Sequence, residues 1–373
     1  MMIIVLATLI ANLYAGELKV TPMEQLNIPI AFGNDIKKEL DGNVEYSIPY
    51  IIYDFKKKGG GSTAGKDEIM DQSSSILNGK ASSIGETREE RQLISSKPFL
   101  IGSEKMTLIS EEQASYGILN IVNIFFANAK INDRAIYAVC KGKAEDMLKL
   151  KVEGYPSSAD YMESMIKHAT NYNFLSANYT LLNIYEQLVS EGESLVLPYL
   201  ETKDNNITFS GMALFKGNKM AYALPMEESK IMNMLREKKG KGILSLQEGS
   251  DKYINYDAIV KKSAKCNKRE GKYDFTIELD FQGDIIENTL YKNMGTKNEK
   301  QFEELMEKKI EKMCNVFLDK MKNNYKIDCL NLGMVAAAKY GRETGVNWNK
   351  EVSNADIKVN VKIKIDKMGI GQY

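Results

Sequence analysis

The second half of the chain has the most regular alternation of apolar and polar positions. In residues 273–281 and 357–365, apolar side chains fall at every second position, which is the period of a strand with one buried face. The polar face of the first segment is acidic and that of the second is basic, so opposite charges would meet if the strands were neighbours. Between them, residues 302–321 repeat apolar side chains at helical spacing. The pattern predicts a sheet covered by one long amphipathic helix.

In the first half, patterns typical of strands and of helices alternate. The predicted strands are residues 26–32, 46–55, 105–109 and 136–140. The predicted helices are residues 85–95, 144–150, 158–169 and 181–189. Residues 33–43 are predicted to be a polar turn region, and residues 56–75, rich in Lys, Gly, Ser and Asp, a solvated loop. The alternation favours an α/β unit.

One further helix is predicted directly after the strand 105–109. Ser110-Glu-Glu-Gln113 matches a capping box, in which the Ser and Gln side chains satisfy free backbone amides at a helix start. An apolar stripe follows at helical spacing, made by Ile118, Ile121, Val122, Phe125 and Phe126. We expect a core helix here, because the basic flank of a helix that lies on a membrane is missing.

The pattern changes near residue 203. Residues 195–200 contain Pro198, which cannot donate to a strand ladder, so they are predicted to form an edge strand or an extended linker. Residues 203–206 form a polar connector. Residues 209–220 then predict a strand, a tight Lys-Gly-Asn-Lys turn and the start of a second strand, followed by a helix with acidic residues in its first turn.

These elements define a fold class and an organisation. The predicted fold class is α/β (α+β), multi-domain, with mixed sheets that are each covered by amphipathic helices. The predicted units are an apolar leader at residues 1–16, an N-terminal α/β region at 17–202 and a C-terminal α/β region at 207–373, built from a sheet and the long helix. A length of 373 residues suits two or three such units.

The charge balance argues against a polyanionic partner. Fifty basic residues match fifty acidic ones, so no net field would draw the chain to nucleic acid. Two small basic clusters stand out. They are residues 56–58 and the group Lys261, Lys262, Lys265, Lys268 and Arg269. Each is predicted to be a solvated loop, with a weak contact to anionic lipid as the alternative.

The four cysteines do not form a recognisable metal site. Cys140, Cys266, Cys314 and Cys329 are far apart, without any CxxC or Cys-His spacing, which argues against zinc and against a dense disulfide framework. Buried free thiols are the main prediction. A Cys314–Cys329 bridge is the alternative if the chain is exported.

The first sixteen residues, MMIIVLATLIANLYAG, are apolar and uncharged. The stretch is shorter than the ~20 residues of a typical transmembrane helix. It resembles the hydrophobic part of a signal peptide, with small residues Ala15 and Gly16 before a possible cleavage point but no basic region ahead of it. Export is therefore predicted, and a buried N-terminal strand or helix of a cytosolic protein is the alternative.

Candidate catalytic patterns are weak. Residues 60–67 fit G-x-x-x-x-G-K, but Asp67 stands where a phosphate-binding loop needs Ser or Thr to hold magnesium. His168 is the only histidine and is predicted to lie on a helix beside its apolar face, where a packed or surface imidazole is commoner than a catalytic base. No local pattern singles out a pair of carboxylates. We predict no catalytic, cofactor-binding or metal-binding residues, and no enzyme.

The order of the elements resembles the Ger(x)C family, the C subunits of nutrient germinant receptors in spore-forming bacteria. The matching pieces run from about Val20 to Gly369. They are the strand 46–55 with its Gly/Ser-rich loop, residues 79–88, 105–118 and 197–200, and then residues 211–222, 283–287, 328–340, Trp348 and 359–365. The resemblance implies a multi-domain α/β fold, which agrees with the patterns above.

The resemblance also implies a role and a location. Such subunits are non-catalytic, lie on the outer face of the spore inner membrane, and work with integral A- and B-type subunits in receptor assembly or signalling. They are typically lipoproteins, but here Glu17 occupies the position where the acylated cysteine is expected, so lipidation is not carried over. An uncleaved apolar anchor, attachment through partner subunits or an incompletely represented leader would each account for membrane association.

Two rival functions belong to other classes. The first is an exported protein that captures a small nutrient in the cleft between its two halves. The second is a secreted hydrolase with an unrecognised carboxylate pair.

Overall fold

A computed structural model describes residues 21–40, 42–56, 71–292 and 294–368. The first part is an eight-stranded mixed sheet in the order β3-β2-β1-β4-β5-β6-β7-β8. Its strands are β1 (Pro29–Lys38), β2 (Val44–Lys56), β3 (Asp71–Ala81), β4 (Met106–Ser110), β5 (Ile136–Cys140), β6 (Val196–Lys203), β7 (Asn206–Lys216) and β8 (Lys219–Pro225). The strands β1, β4, β5 and β6 are parallel, and an antiparallel pair extends the sheet on each side.

Helices accompany this sheet. They are α1 (Thr87–Leu93), α2 (Glu111–Tyr116), α3 (Leu119–Phe126), α4 (Ala144–Leu148), α5 (Ser158–Ala169) and α6 (Leu181–Val189). Every residue of β4 and β5 is buried, as expected of parallel strands covered on both faces. The helix α5 packs on β1, β4 and β7, and α6 packs against α3.

The second part is a four-stranded sheet in the order β12-β11-β10-β9. Its strands are β9 (Lys239–Gly249), β10 (Lys252–Arg269), β11 (Lys272–Asn288) and β12 (Asp356–Met368). The helix α7 (Met226–Arg236) connects the sheets, and α8 (Thr296–Lys320), α9 (Leu332–Tyr340) and α10 (Trp348–Asn354) follow β11. The long helix α8 packs on β12, with its buried face made by Phe302, Met306, Ile310, Cys314 and Phe317.

The condition for opposite charges to meet on the two alternating strands is fulfilled, because the strands are neighbours. β11 and β12 are parallel neighbours, and Asp280 lies opposite Lys362. Asn360 donates a hydrogen bond to Glu278 at 2.8 Å on the same pair of strands. The α/β fold class with two mixed sheets and covering helices is confirmed. The β6–β7 connection joins two neighbouring strands of the first sheet, so β7 and β8 belong to that sheet and not to the second one.

The predicted turn region after residue 32 is wrong in its first half. β1 continues to Lys38, and its polar residues Asn34 and Asp35 are buried. Asp35 accepts hydrogen bonds from the backbone amides of Ala144 and Glu145 at the start of α4, at 2.7 and 3.0 Å. The buried carboxylate of Asp35 can therefore continue this strand because a neighbouring element satisfies it.

The prediction of an edge strand or linker around Pro198 is also wrong. β6 lies inside the sheet between β5 and β7. Its pairing with β5 comprises Tyr199 and Leu200, so the missing amide of Pro198 removes no bond on that side. The polar connector is a two-residue hairpin turn in which Asp204 and Asn205 have φ of 49° and 62°, as in a type I′ turn.

The helix predicted after Ser110 is divided into α2 and α3. Ser110 caps α2 by accepting from the Gln113 amide at 3.2 Å, whereas the Gln113 side chain donates to the carbonyl of Gly117. Gly117 has a φ of +137°, and a Cβ there would lie 2.5 Å from Oδ1 of Asn218. The turn between β7 and β8 packs into this break, where the Ile118 amide donates to the Asn218 carbonyl at 3.0 Å.

Candidate functional site

The two sheets meet at a junction that is centred on Arg236, the last residue of α7. Its side chain is only 6% exposed. On the side of the first sheet, Nη2 donates to Oε1 of Gln187 at 2.9 Å and to the carbonyl of Ser194 at 3.0 Å. On the other side, Nη1 donates to the carbonyl of Cys329 at 2.9 Å and to Oδ1 of Asn331 at 2.8 Å. One buried guanidinium therefore ties together three segments that are distant in sequence.

Two glycines permit close contact of the backbones at the junction. Gly192 has a φ of +76°, and a Cβ there would lie 2.3 Å from the backbone of Gly333. The amide of Met334 donates to the carbonyl of Gly192 at 3.1 Å. Since residues 333 and 334 lie in α9, the loop after α6 packs directly on the first turn of that helix.

A buried carboxylate organises the start of α9. Asp328 accepts from the amides of Leu330 and Leu332, both at 3.2 Å, and of Gly333 at 2.6 Å. These bonds satisfy amides that the first turn of a helix leaves free. The Asp328 amide in turn donates to Oδ1 of Asn349 at 2.8 Å. The segment that receives Arg236 is thereby held in one conformation.

An exposed part of the junction involves Glu191. Its Oε1 accepts from the indole of Trp348 at 2.9 Å, and its Oε2 accepts from the amide of Glu343 at 2.6 Å. These two hydrogen bonds hold the pKa of Glu191 below its ordinary value, and the bond from the Glu343 amide has the larger effect. The carboxylate therefore stays ionised and bound at neutral pH.

A cleft of about 790 Å³ opens beside Arg236, between the two sheets. Most of the residues that line it are of polar types, among them Asn178, Glu193, Asn233, Arg236 and Lys262. The volume lies within the range of small-molecule sites in proteins, roughly 300–1,000 Å³. Among these side chains, Lys262 has donors to spare, because its only hydrogen bond in the described chain is a long one, 3.4 Å to the carbonyl of Arg236.

Lys262 is drawn into the cleft by the register of β10. Ile254, Tyr256, Ala258 and Val260 face inward at every second position, and Lys262 continues that series. Burial lowers the pKa of its ammonium to about 8. The prediction that residues 261–269 form a solvated loop is therefore wrong, because they belong to β10, and the alternation that places Lys262 inward was present in the sequence.

The other predicted positions lie apart from this cleft. All four cysteines are buried and free, so the alternative of a Cys314–Cys329 bridge is not realised. Burial raises the pKa of Cys266 to about 11 and that of Cys314 to about 12, and raises that of the other two thiols as well. Thiols of this kind are unreactive.

His168 is exposed in the last turn of α5. Its side chain forms no hydrogen bond with any other residue that the structure describes, so it is not seen in a nucleophile–base pair. The residues 60–67 that resemble a phosphate-binding loop, the leader at residues 1–16 and Glu17 lie outside the described residues.

At the carboxyl edge of the parallel strands, where many α/β proteins bind ligands, a smaller cavity of about 410 Å³ is lined by Asp35, Ser110 and Lys143 among others. Asp35 occupies the start of α4 with its two backbone hydrogen bonds, in the place where an anion would be held. Within the described ranges, no cluster of three or more His, Cys, Asp or Glu side chains is arranged to hold a metal ion. No helix within those ranges is long and apolar enough to cross a membrane.

Comparison with known families accounts for both parts of the chain. The family model for the spore germination protein N-terminal domain matches residues 19–202. The model for spore germination B3/GerAC like, C-terminal, matches residues 210–369. The chain belongs to the GerAC-like family of spore germination proteins. This membership confirms the family that the order of the elements suggested.

Individual relatives of this GerAC-like chain are distant. The spore germination protein GerQC of Bacillus cereus is 22% identical over 282 residues, which cover 74% of this chain and 77% of that protein. The crystal structure of the GerBC protein is 17% identical and covers 92% of this chain and 99% of the GerBC chain, with a TM-score of 0.54. At this identity the second similarity demonstrates a shared fold.

Proposed function

We propose that this GerAC-like protein is the C subunit of a nutrient germinant receptor and supports receptor assembly or signalling without catalysing a reaction. The observation that carries the proposal is the match of both family models, in chain order, over residues 19–202 and 210–369. A spore germination protein, GerQC, matches over most of the same chain. In this proposal the partners are integral A- and B-type receptor subunits.

The polar interactions of the described residues suit a scaffold. Arg236 donates its hydrogen bonds to other segments of the same chain, and Asp328 and Asp35 satisfy backbone amides at helix starts. Groups used in this way stabilise one arrangement of the two sheets. A subunit that transmits a conformational signal needs two parts that are held together by a defined junction.

The proposed location is the outer face of the spore inner membrane. The apolar stretch at residues 1–16 is the feature that supports this location. A short apolar segment or a single lipid chain gives only marginal attachment to a membrane by itself. Because Glu17 replaces the cysteine of a lipobox, we propose that contacts with the integral subunits supply much of the attachment.

Co-purification tests the proposal. The chain would be tagged at its C-terminus, extracted from spore membranes with a mild detergent, and captured, and co-purifying proteins would be identified by mass spectrometry. We expect A- and B-type subunits to be enriched over an untagged strain. Recovery of the tagged chain alone, in a preparation that retains both integral subunits in the extract, would refute the assignment.

The cleft beside Arg236 supports a second candidate function, capture of a small polar nutrient. Its volume of about 790 Å³ and the spare donors of Lys262 are the favouring observations. A ligand at a hundredfold excess over its dissociation constant stabilises a protein by roughly 2.7 kcal/mol. We would therefore screen amino acids, sugars and nucleosides by thermal shift, with Lys262→Met as the variant that should lose any response.

A further inference from the structure

The helix α1 carries a buried arginine whose charge no acidic side chain balances. Arg91 is 1% exposed. Its Nη1 donates to the carbonyl of Ile48 at 2.8 Å and to Oγ1 of Thr87 at 3.2 Å, while Nε is buried without a partner. No carboxylate within the described ranges forms an ion pair with it. An uncompensated buried charge is unfavourable by several kcal/mol in general, so such a residue calls for an explanation.

The aromatic neighbour of Arg91 does not supply the missing negative charge. The guanidinium carbon lies 3.7 Å from the centre of the Tyr50 ring, an attractive cation–π contact. Burial raises the pKa of the Tyr50 phenol, so the phenol is neutral at physiological pH. Glu104 is also buried, and its two oxygens accept from the amides of Gly102 and Asn132 and not from Arg91. Among the described residues, the positive charge of Arg91 therefore has no ion-pair partner.

Arg91 lines a cavity of about 800 Å³ that combines positive and apolar walls. Arg88 and Lys130 are exposed side chains that also line it. The apolar part of the lining is made by Phe99, Ile101, Ile124 and Ile131. A guanidinium at the wall with two more cations beside it suits a carboxylate or a phosphate, and the apolar part suits a hydrocarbon chain.

We propose that this cavity binds an anionic group, a carboxylate or a phosphate, that carries an apolar chain. The anion would pair with Arg91, and the chain would lie against Phe99 and its apolar neighbours. Arg88 and Lys130 would attract the anion from solvent. The site lies in the first part of the molecule and is separate from the cleft beside Arg236.

The surroundings of the cavity favour a membrane lipid as the source of this ligand. Asn27, near the start of the described chain, pairs with the segment that supplies Phe99 through backbone bonds to Pro98 and Leu100. Large apolar side chains near this segment are exposed: Met23 by 59%, Leu93 by 81% and Leu100 by 45%. The apolar stretch of residues 1–16 precedes this region. The choice of a lipid, unlike the site itself, rests on the proposed membrane location.

Soluble probes test the site directly. The purified full chain would be titrated with octanoate, with 1-octanol, which has the chain without the charge, and with acetate, which has the charge without the chain. We expect a concentration-dependent rise in Tm with octanoate that exceeds the effect of the other two. Equal responses to octanoate and octanol would refute an anion site, and so would the absence of any response.

Variants of Arg91 separate binding from structure. We expect Arg91→Met to bind octanoate about tenfold or more weakly, since a charge-assisted bond is lost, and to keep or raise the Tm of the ligand-free protein, because an unbalanced buried charge is removed. Arg134→Met, at an exposed position outside the cavity, should match the wild type. Undiminished octanoate binding by Arg91→Met would refute the proposal.

Two further variants keep the test decisive if Arg91→Met does not fold. Arg88→Gln and Lys130→Gln change exposed side chains and should each weaken octanoate binding several-fold. Binding that is unchanged in both would refute the proposed orientation of the anion toward these cations.

Vesicles identify the source of the ligand. Flotation with phosphatidylcholine vesicles, with and without phosphatidylglycerol, should show binding that depends on the anionic lipid and is weakened by Arg91→Met. Octanoate binding without lipid-dependent flotation would assign the site to a soluble anion instead. Neither result affects co-purification with the receptor subunits, so the site and the proposed function can fail independently.

Discussion

At the scale of single residues, Lys262 shows how strand register overrides side-chain preference. It continues an inward-facing series on β10, and burial lowers its pKa from 10.5 to about 8. Below pH 8 the native protein contains a buried ammonium. Between pH 8 and 10.5 the native state loses this proton before the unfolded state does, so this group's contribution makes the protein more stable as the pH rises.

We therefore predict that Lys262→Met stabilises the protein at pH 7. A gain of about 1–2 kcal/mol is expected, because Lys262 is partly solvated by the cleft. The difference between variant and wild type should shrink as the pH rises from 8 to 10. Chemical denaturation at a series of pH values measures it, with the exposed neighbour Lys261→Met as control. A difference that does not change with pH would contradict this account of Lys262.

At the scale of elements, sequence pattern predicted those whose contacts are simple. The helices α5 and α6 have the predicted bounds because one apolar stripe packs on one surface. The break between α2 and α3 was missed because it depends on Asn218, about a hundred positions away, packing against Gly117. β9 and most of β10 were missed because their outward faces are rich in Lys and their inward series includes Lys262.

The packing of α1 against β3 provides a prediction at this scale. Gly79 lies in β3, and a Cβ there would lie 2.0 Å from the carbonyl oxygen of Thr87 and 3.0 Å from Cγ of Arg91. We expect Gly79→Ala to displace α1 and to destabilise the protein by about 1–3 kcal/mol. Urea denaturation measures the loss.

The neighbouring glycine Gly85 is a matched control for this experiment. The nearest atom to a Cβ at Gly85 would be Oγ of Ser83 at 3.9 Å, so Gly85→Ala should change stability by less than about 0.5 kcal/mol. Equal losses for the two variants would show that backbone freedom, and not contact with α1, sets the effect. Because α1 carries Arg91, Gly79→Ala should also weaken octanoate binding.

At the scale of the whole molecule, the sequence predicted two sheets but not how they meet. The junction joins residues separated by more than ninety positions, such as Arg236 with Cys329 and Glu191 with Trp348. No local period marks such pairs. The same holds for the cavity at Arg91, since the short helix TREERQL has no apolar stripe that would indicate which face is buried. A cleft between the two halves was an alternative in the sequence analysis, but composition and motif identified neither the residues that line it nor the cavity at Arg91.

The junction is also where cooperativity between the two parts can be tested. Arg236 forms four hydrogen bonds to Gln187, Ser194, Cys329 and Asn331. Arg236→Met would leave these acceptors without a charged donor, and we expect a loss of about 3–5 kcal/mol. Because the lost bonds cross between the sheets, unfolding should become less cooperative. Calorimetry should show a broader or divided transition, while Arg134→Met should keep the wild-type profile. A single sharp transition at an unchanged Tm would show that other contacts hold the two parts together.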